Sequence, residues 1–161
     1  MITKNTKIQN NQIFTSKANV LKLLQNQITQ SKIEQMYYFT VLDWNKNHIL
    51  ILKNIKKIFK DSKNVIIRSS AKGEDSPDKS YAGAYESILN ISPQSSNSLQ
   101  NAIKSVIKSY IDNGNTNLEN QVLIQNQASG IITSGVVFTR TPDIAAPYFV
   151  INFEEGGTTT H

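Results

Sequence analysis

From Lys17 to Gln30 the apolar positions Leu21, Leu24 and Ile28 recur at three- and four-residue spacing. That period predicts a helix with Ser16 as its N-cap. Residues 35–43, rich in aromatic and β-branched side chains, predict a strand. Leu52, Ile55 and Phe59 share one face of a helix expected over 44–60, and Lys53, Lys56, Lys57 and Lys60 sit on its solvated side. Val65–Arg68 reads as a short buried strand. The loop 69–80 after it has turn chemistry at Ser76-Pro77-Asp78. A strand is expected over 81–91, with Gly83 where the backbone must approach something closely. Ser92–Ser98 supplies a cap for the clearest helix in the chain, marked by Leu99, Ala102, Ile103, Val106, Ile107, Tyr110 and Ile111. Asn113–Asn117 is a turn and Val122–Gln125 a strand. Ile131–Thr141 and Pro147–Glu154 pair as an antiparallel hairpin. The order α, β, α, β, β, α, β, β, β predicts an α+β fold, a largely antiparallel sheet packed with helices, in one domain over 1–161.

Composition narrows the chemistry. The chain has no cysteine, which excludes disulfides and thiolate metal sites. No apolar run reaches the 18 or so residues that span a membrane, and the first thirteen residues lack the apolar core of a signal peptide. A cytoplasmic location is therefore expected. The net charge of +5 fits an anionic partner, but it also fits lysine enrichment on solvated helix faces.

Arginine is the sharper signal. Fifteen lysines stand against two arginines, Arg68 and Arg140, each placed at a strand end. A guanidinium grips a phosphate or carboxylate with two parallel N–H bonds, which an ammonium cannot do. After Arg68 come the hydroxyls of Ser69, Ser70 and Ser80 and the small residues Gly73, Ala82 and Gly83, which let backbone N–H groups approach an anion. This pattern points to a polyphosphate site. Neither a Walker A sequence nor a G-x-G-x-x-G run occurs, so the site is neither a P-loop nor a dinucleotide fold. Glu74, Asp75 and Asp78 either help to place Mg²⁺ or pair with lysines and cap turns.

These residues resemble a known family. Arg68-Ser69-Ser70-Ala71, Glu74-Asp75, Ser80-Tyr81-Ala82-Gly83 and Glu86-Ser87 are similar to the signature R-S-S-A-x-x-E-D-x-x-x-x-S-F-A-G-x-x-E-T/S. It belongs to the nucleotide-binding domain of phosphoenolpyruvate synthase and pyruvate phosphate dikinase, an ATP-grasp fold. Ser16-Lys17-Ala18-Asn19 with Leu23 resembles that family's G-G-K-G-A-N-L. Residues 134–142 resemble A-G-V-M-F-T-R-D-P, and Gln125 matches the end of V-V-V-Q. The likeness covers about residues 14–155. It implies that Lys17 and Arg68 contact ATP phosphates, that Gln125 lies in the nucleotide cleft, and that Arg140 ends a strand lining that cleft.

Two departures stand out. Thr15 and Ser16 replace the family's N-terminal glycines, and residues 150–159 replace its G-L-G-E turn. The second resembles a divergent branch associated with capsule and surface-polysaccharide biosynthesis, which includes L-glutamine kinase. The resemblance implies an ATP-dependent phosphotransferase that passes a phosphoryl group through a carrier histidine to a small acceptor, releasing AMP and phosphate. On that reading the chain is the first lobe of an ATP-grasp domain, truncated at its C-terminus and inactive alone. The remaining lobe, with its Mg²⁺ ligands, and the carrier-histidine domain are its expected partners. No catalytic residue or metal ligand is expected here, because His48 and His161 both lack the carrier motif. The alternatives are phosphoenolpyruvate synthase-type phosphorylation of pyruvate, a lobe that only scaffolds a partner, and a basic nucleic-acid-binding module. The last, the less favoured, would use the lysines of 53–63 with Tyr37, Tyr38 and Trp44 as stacking platforms.

Overall fold

The computed structural model describes residues 16–72, 75–76, 79–80 and 85–156, with side chains at all of these except 75–76 and 79–80. They fall into two compact units that meet between Gln127 and Ala128. The first holds α1 (Lys17–Gln25), β1 (Met36–Thr40), α2 (Val41–Ile58), β2 (Val65–Ser70), β3 (Asp75–Ser76), β4 (Lys79–Ser80), β5 (Ser87–Ile91), α3 (Ser96–Asp112) and β6 (Gln121–Asn126). The second holds β7 (Thr133–Phe138) and β8 (Val150–Glu155). The α+β class with antiparallel pairing is as the sequence predicts.

In the first unit the strand order is β1-β6-β2-β5, every neighbour antiparallel. The last strand in sequence therefore lies between the first two, which places β2 inside the sheet. Strand parity then sorts the side chains. Val65, Ile67, Val122, Ile124 and Phe39 join Trp44, Ile51, Ile55 and Phe59 of the α2 segment and Leu99, Ile103, Val106 and Tyr110 of α3 in one core. Ile66, Arg68 and Ser70 of β2, and Gln121, Leu123 and Gln125 of β6, take the opposite parity. Leu123 is fully buried on that second face, outside the helix-side core. Contacts from α1 reach the same face at Tyr38 and Ser70.

Local chemistry moves three boundaries. The strand expected over 35–43 ends at Thr40, because Thr40 and Asp43 form a reciprocal capping box that starts α2 there. Asn47 breaks α2 (φ −156°, ψ 70°), and its Oδ1 accepts the Leu50 N–H at 3.0 Å, capping the helix again. The first helix stops at Gln25 instead of Gln30, with Asn26 as C-cap. The strand expected over 81–91 spans Ser87–Ile91, and residues 81–84 lie outside the described ones. Ile111, read as core-facing, is 58% exposed, because the end of α3 borders an open cleft.

The second unit is the expected hairpin, with Gly135 opposite Phe153. A Cβ on Gly135 would stand 2.5 Å from the Asn152 carbonyl oxygen, so the strands close only around glycine here. Val137, Ile151 and Phe153 share the face of Gly135 and are exposed.

Candidate functional site

Four of the residues singled out in the sequence converge on the second face of the sheet. Arg68 stands opposite Leu123, and Ile66 stands opposite Gln125. Arg68 and Gln125 are therefore diagonal neighbours, about 7–8 Å apart in such pairs. Ser70 is two residues on, with the same parity as Arg68. Lys17 opens α1, and the next residue, Ala18, donates its N–H to Ser70 Oγ at 2.9 Å. Lys17 is thereby brought to the strand end that carries Arg68.

Arg68 is half-buried, and its Nε is fully buried with no hydrogen-bond partner. Among the described residues no carboxylate forms an ion pair with it. A buried cationic donor without an acceptor costs about 1–3 kcal/mol or more, and native structures rarely leave one so. The Gln125 amide, half-buried on the same face, has no protein partner among the described residues and is available to a ligand.

Ser69 and Ser70 divide. The strand runs two residues beyond Arg68, so Ser69 turns to the helix side while Ser70 keeps the parity of Arg68, and both are buried (3% and 0% exposed). Ser70 Oγ accepts a bond from α1, which leaves its proton for a second acceptor. Ser80 belongs to β4, paired with Asp75 of β3, but its side chain lies outside the described residues, as does Gly83 altogether.

The serine at position 16, where the resembled motif has glycine, has a physical consequence. Its Oγ accepts from Asn19 N–H at 3.3 Å, its carbonyl from Val20 N–H at 3.0 Å, and its hydroxyl donates to Gln121 Oε1 at 2.6 Å. With Ala18 bonded to Ser70, the amides of residues 18–20 are all engaged within the protein. This helix end therefore holds no nest of open amides at residues 18–20.

Arg140 belongs to the second unit. Its Nη1 donates to the Ala145 carbonyl at 3.0 Å, bracing the loop between β7 and β8. The same loop is held by Thr141, whose N–H donates to Ala146 O and whose Oγ1 accepts from Ala146 N–H.

An open cleft of about 250 Å³ lies among Val41, Ile107, Tyr110, Ile111 and Leu118 at the ends of α2 and α3. None of its lining residues is charged, and it is built on the helix side of the sheet. It does not suit a triphosphate.

Of the three rings named for the nucleic-acid alternative, one is buried, and Tyr37 and Tyr38 are half-buried. Trp44 is 6% exposed and stacks on Phe39 at 5.8 Å, and Tyr37 packs against the core. Trp44 therefore offers no open ring face to a base. Lys53, Lys57 and Lys60 are exposed on the outer side of the helical segment, as an ordinary solvated face.

Sequence reading missed the buried polar residues Gln121, Ser109 and Asn120, and the hydrogen bonds made by Ser16 and Tyr110, which it read as an N-cap and a core residue. Asn120 Oδ1 accepts from Lys72 N–H, and its amide donates to Asn115 Oδ1 at 2.8 Å. The available signal was polar residues within apolar runs, such as Gln121 directly before Val122-Leu123-Ile124.

Among the described residues no three His, Cys, Asp or Glu side chains come together. The side chains of Glu74, Asp75 and Asp78 lie outside the described residues. No helix among them is long and apolar enough to cross a membrane.

A family model, described as the pyruvate phosphate dikinase AMP/ATP-binding domain, matches residues 43–154. No curated protein matches the chain.

Proposed function

Because the chain belongs to the family of pyruvate phosphate dikinase AMP/ATP-binding domains, we propose that it holds the ATP phosphates on the sheet face shared by Arg68, Ser70 and Gln125. The observation that carries this reading is the Arg68 Nε, buried and without an acceptor on that face. Lys17, seated beside Ser70, adds the second cation. Ser80 and Gly83 complete the phosphate-binding segment, and Ser69 supports it from the core side. The protein's role is chiefly to position the nucleotide and offset its charge, as phosphoryl transfer requires.

In the complete reaction we place this domain as the ATP-holding part of a dikinase-like phosphotransferase in the cytoplasm, within a longer protein. A carrier histidine attacks the β-phosphorus, AMP leaves, water releases the terminal phosphate, and the phosphoryl group left on the histidine passes to a small acceptor. Glutamine, in capsular phosphoramidate synthesis, is the first candidate, because residues 150–159 depart from the dikinase turn in the manner of that branch. Mg²⁺ accompanies the nucleotide, and no residue of this chain is assigned to it.

Incubating the intact protein with ATP and either glutamine or pyruvate tests the reading. AMP and phosphate, released only with the true acceptor and lost in Arg68→Ala, are expected. ADP as the nucleotide product, or full activity in Arg68→Ala, overturns it.

A further inference from the structure

The end of β2 that carries Arg68 is held by two adjacent residues of α3, and we propose that this Ser109–Tyr110 pair positions Arg68 and Lys17 for the nucleotide. The inference rests on the nucleotide-binding reading given above. Ser69 N–H points to the β5 side, where it donates to the Glu86 carbonyl at 3.2 Å. The N–H of Ser70, next in the strand, therefore faces β6 and its register partner Gln121. In a regular ladder it would meet the Gln121 carbonyl. Here Tyr110 Oη accepts it at 2.9 Å and donates its own proton to that carbonyl. One buried hydroxyl thus bridges the terminal pair of the ladder.

The contacts that seat α1 hang from this same pair. Ser70 Oγ accepts from Ala18 N–H at 2.9 Å, Gln121 Oε1 accepts from Ser16 at 2.6 Å, and the Gln121 amide donates to Asn19 Oδ1 at 3.4 Å. Ser109 anchors the chain where it returns toward β5. Its Oγ accepts from Glu86 N–H at 3.3 Å and donates to Val106 O at 2.8 Å. The Tyr85 ring meets Tyr110 edge-on, with centroids 5.0 Å apart. The last turns of α3 therefore fix both strands flanking Arg68 and, through Ser70, the helix that presents Lys17. Neither Ser109 nor Tyr110 belongs to any motif of the resembled signature.

Tyr110→Phe removes one oxygen and keeps the ring packing. Amide hydrogen exchange in the intact protein is expected to quicken about tenfold at Ser70, Ala18 and Asn19, the worth of one lost hydrogen bond. Exchange at Ile51 and Ile55 in α2 should stay unchanged. The ATP Kd should rise by a similar factor, and Arg68→Met should cost less affinity in the Tyr110→Phe protein than in the wild type. A tyrosine with only a structural role would leave the Kd and that coupling untouched. Unchanged exchange at Ala18 and Ser70 overturns the proposal. If exchange quickens everywhere, Ser109→Ala decides: faster exchange centred on Glu86 supports the pair, and uniform or absent change overturns it. Should the wild type bind no ATP, the nucleotide reading fails on its own, and the exchange pattern still decides whether α3 holds this strand end.

Discussion

Replacing Arg68 by methionine should move stability and binding in opposite directions. The guanidinium Nε is buried without a partner on a strand inside the sheet. An unsatisfied buried donor costs about 1–3 kcal/mol. Methionine keeps an unbranched stem of similar reach while removing the donors. Allowing for imperfect repacking, a net gain of about 1 kcal/mol is expected for the nucleotide-free protein. For a unit of this size that corresponds to a rise of roughly 3–6 °C in Tm. With nucleotide the sign reverses. A charge-assisted hydrogen bond contributes roughly 1.5–3 kcal/mol, so ATP affinity should fall roughly 10- to 150-fold. Thermal melts without ligand and calorimetric ATP titrations of the same two proteins provide the readout. A lower Tm for the variant would mean that the guanidinium is already satisfied within the protein. An unchanged Kd would mean that it does not meet the phosphates. Either result refutes the reasoning.

Three further outcomes follow from the geometry. Asp43 has its pKa lowered, first by the Thr40 backbone N–H and then by the Thr40 hydroxyl. Its contribution to α2 is therefore complete above about pH 4, the ordinary range of such a carboxyl, and is lost as pH falls through the lowered folded value. Following the Thr40 amide by NMR on acidification should show this loss, and Asp43→Asn should abolish the pH dependence; Thr40→Ala should cost about 1 kcal/mol at neutral pH by denaturant melts. Gly135→Ala should loosen the β7–β8 pair, at about 1–3 kcal/mol for a forced backbone shift, seen as faster amide exchange across 133–138 with no change in the first unit. Trp44, the one tryptophan, should show blue-shifted emission that neither iodide nor an oligonucleotide quenches; quenching by the oligonucleotide would restore the nucleic-acid alternative.

The elements were legible in the chain because each carries its own period. A short continuous apolar run marks β6, and three-to-four spacing marks α3. The sheet order was not, because β6 enters between β1 and β2 from over fifty residues downstream, and no local pattern encodes that pairing. Arg68 stood out through residue choice alone, a single guanidinium in a lysine-rich region. The division of labour between Ser69 and Ser70 was hidden by the expectation that the strand ends at Arg68. Two more strand residues place the two hydroxyls on opposite faces of the sheet, both of them buried. Ser16 was legible as an N-cap, but its bond to Gln121 was invisible until the fold brought that residue to it from 105 positions away. Thr40 and Asn47 carried readable capping chemistry, outweighed there by the apolar runs around them.

The central claim is that the guanidinium of Arg68 is the principal phosphate contact in this chain. Nitrogen-15 spectra of the arginine side chains during an ATP titration address it directly, since only two Nε–Hε signals exist. The Arg68 signal should shift and slow its solvent exchange as ATP binds, and AMP, which lacks the terminal phosphates, should produce a far smaller change. A saturating ATP complex that leaves the Arg68 signal where it was would contradict the account.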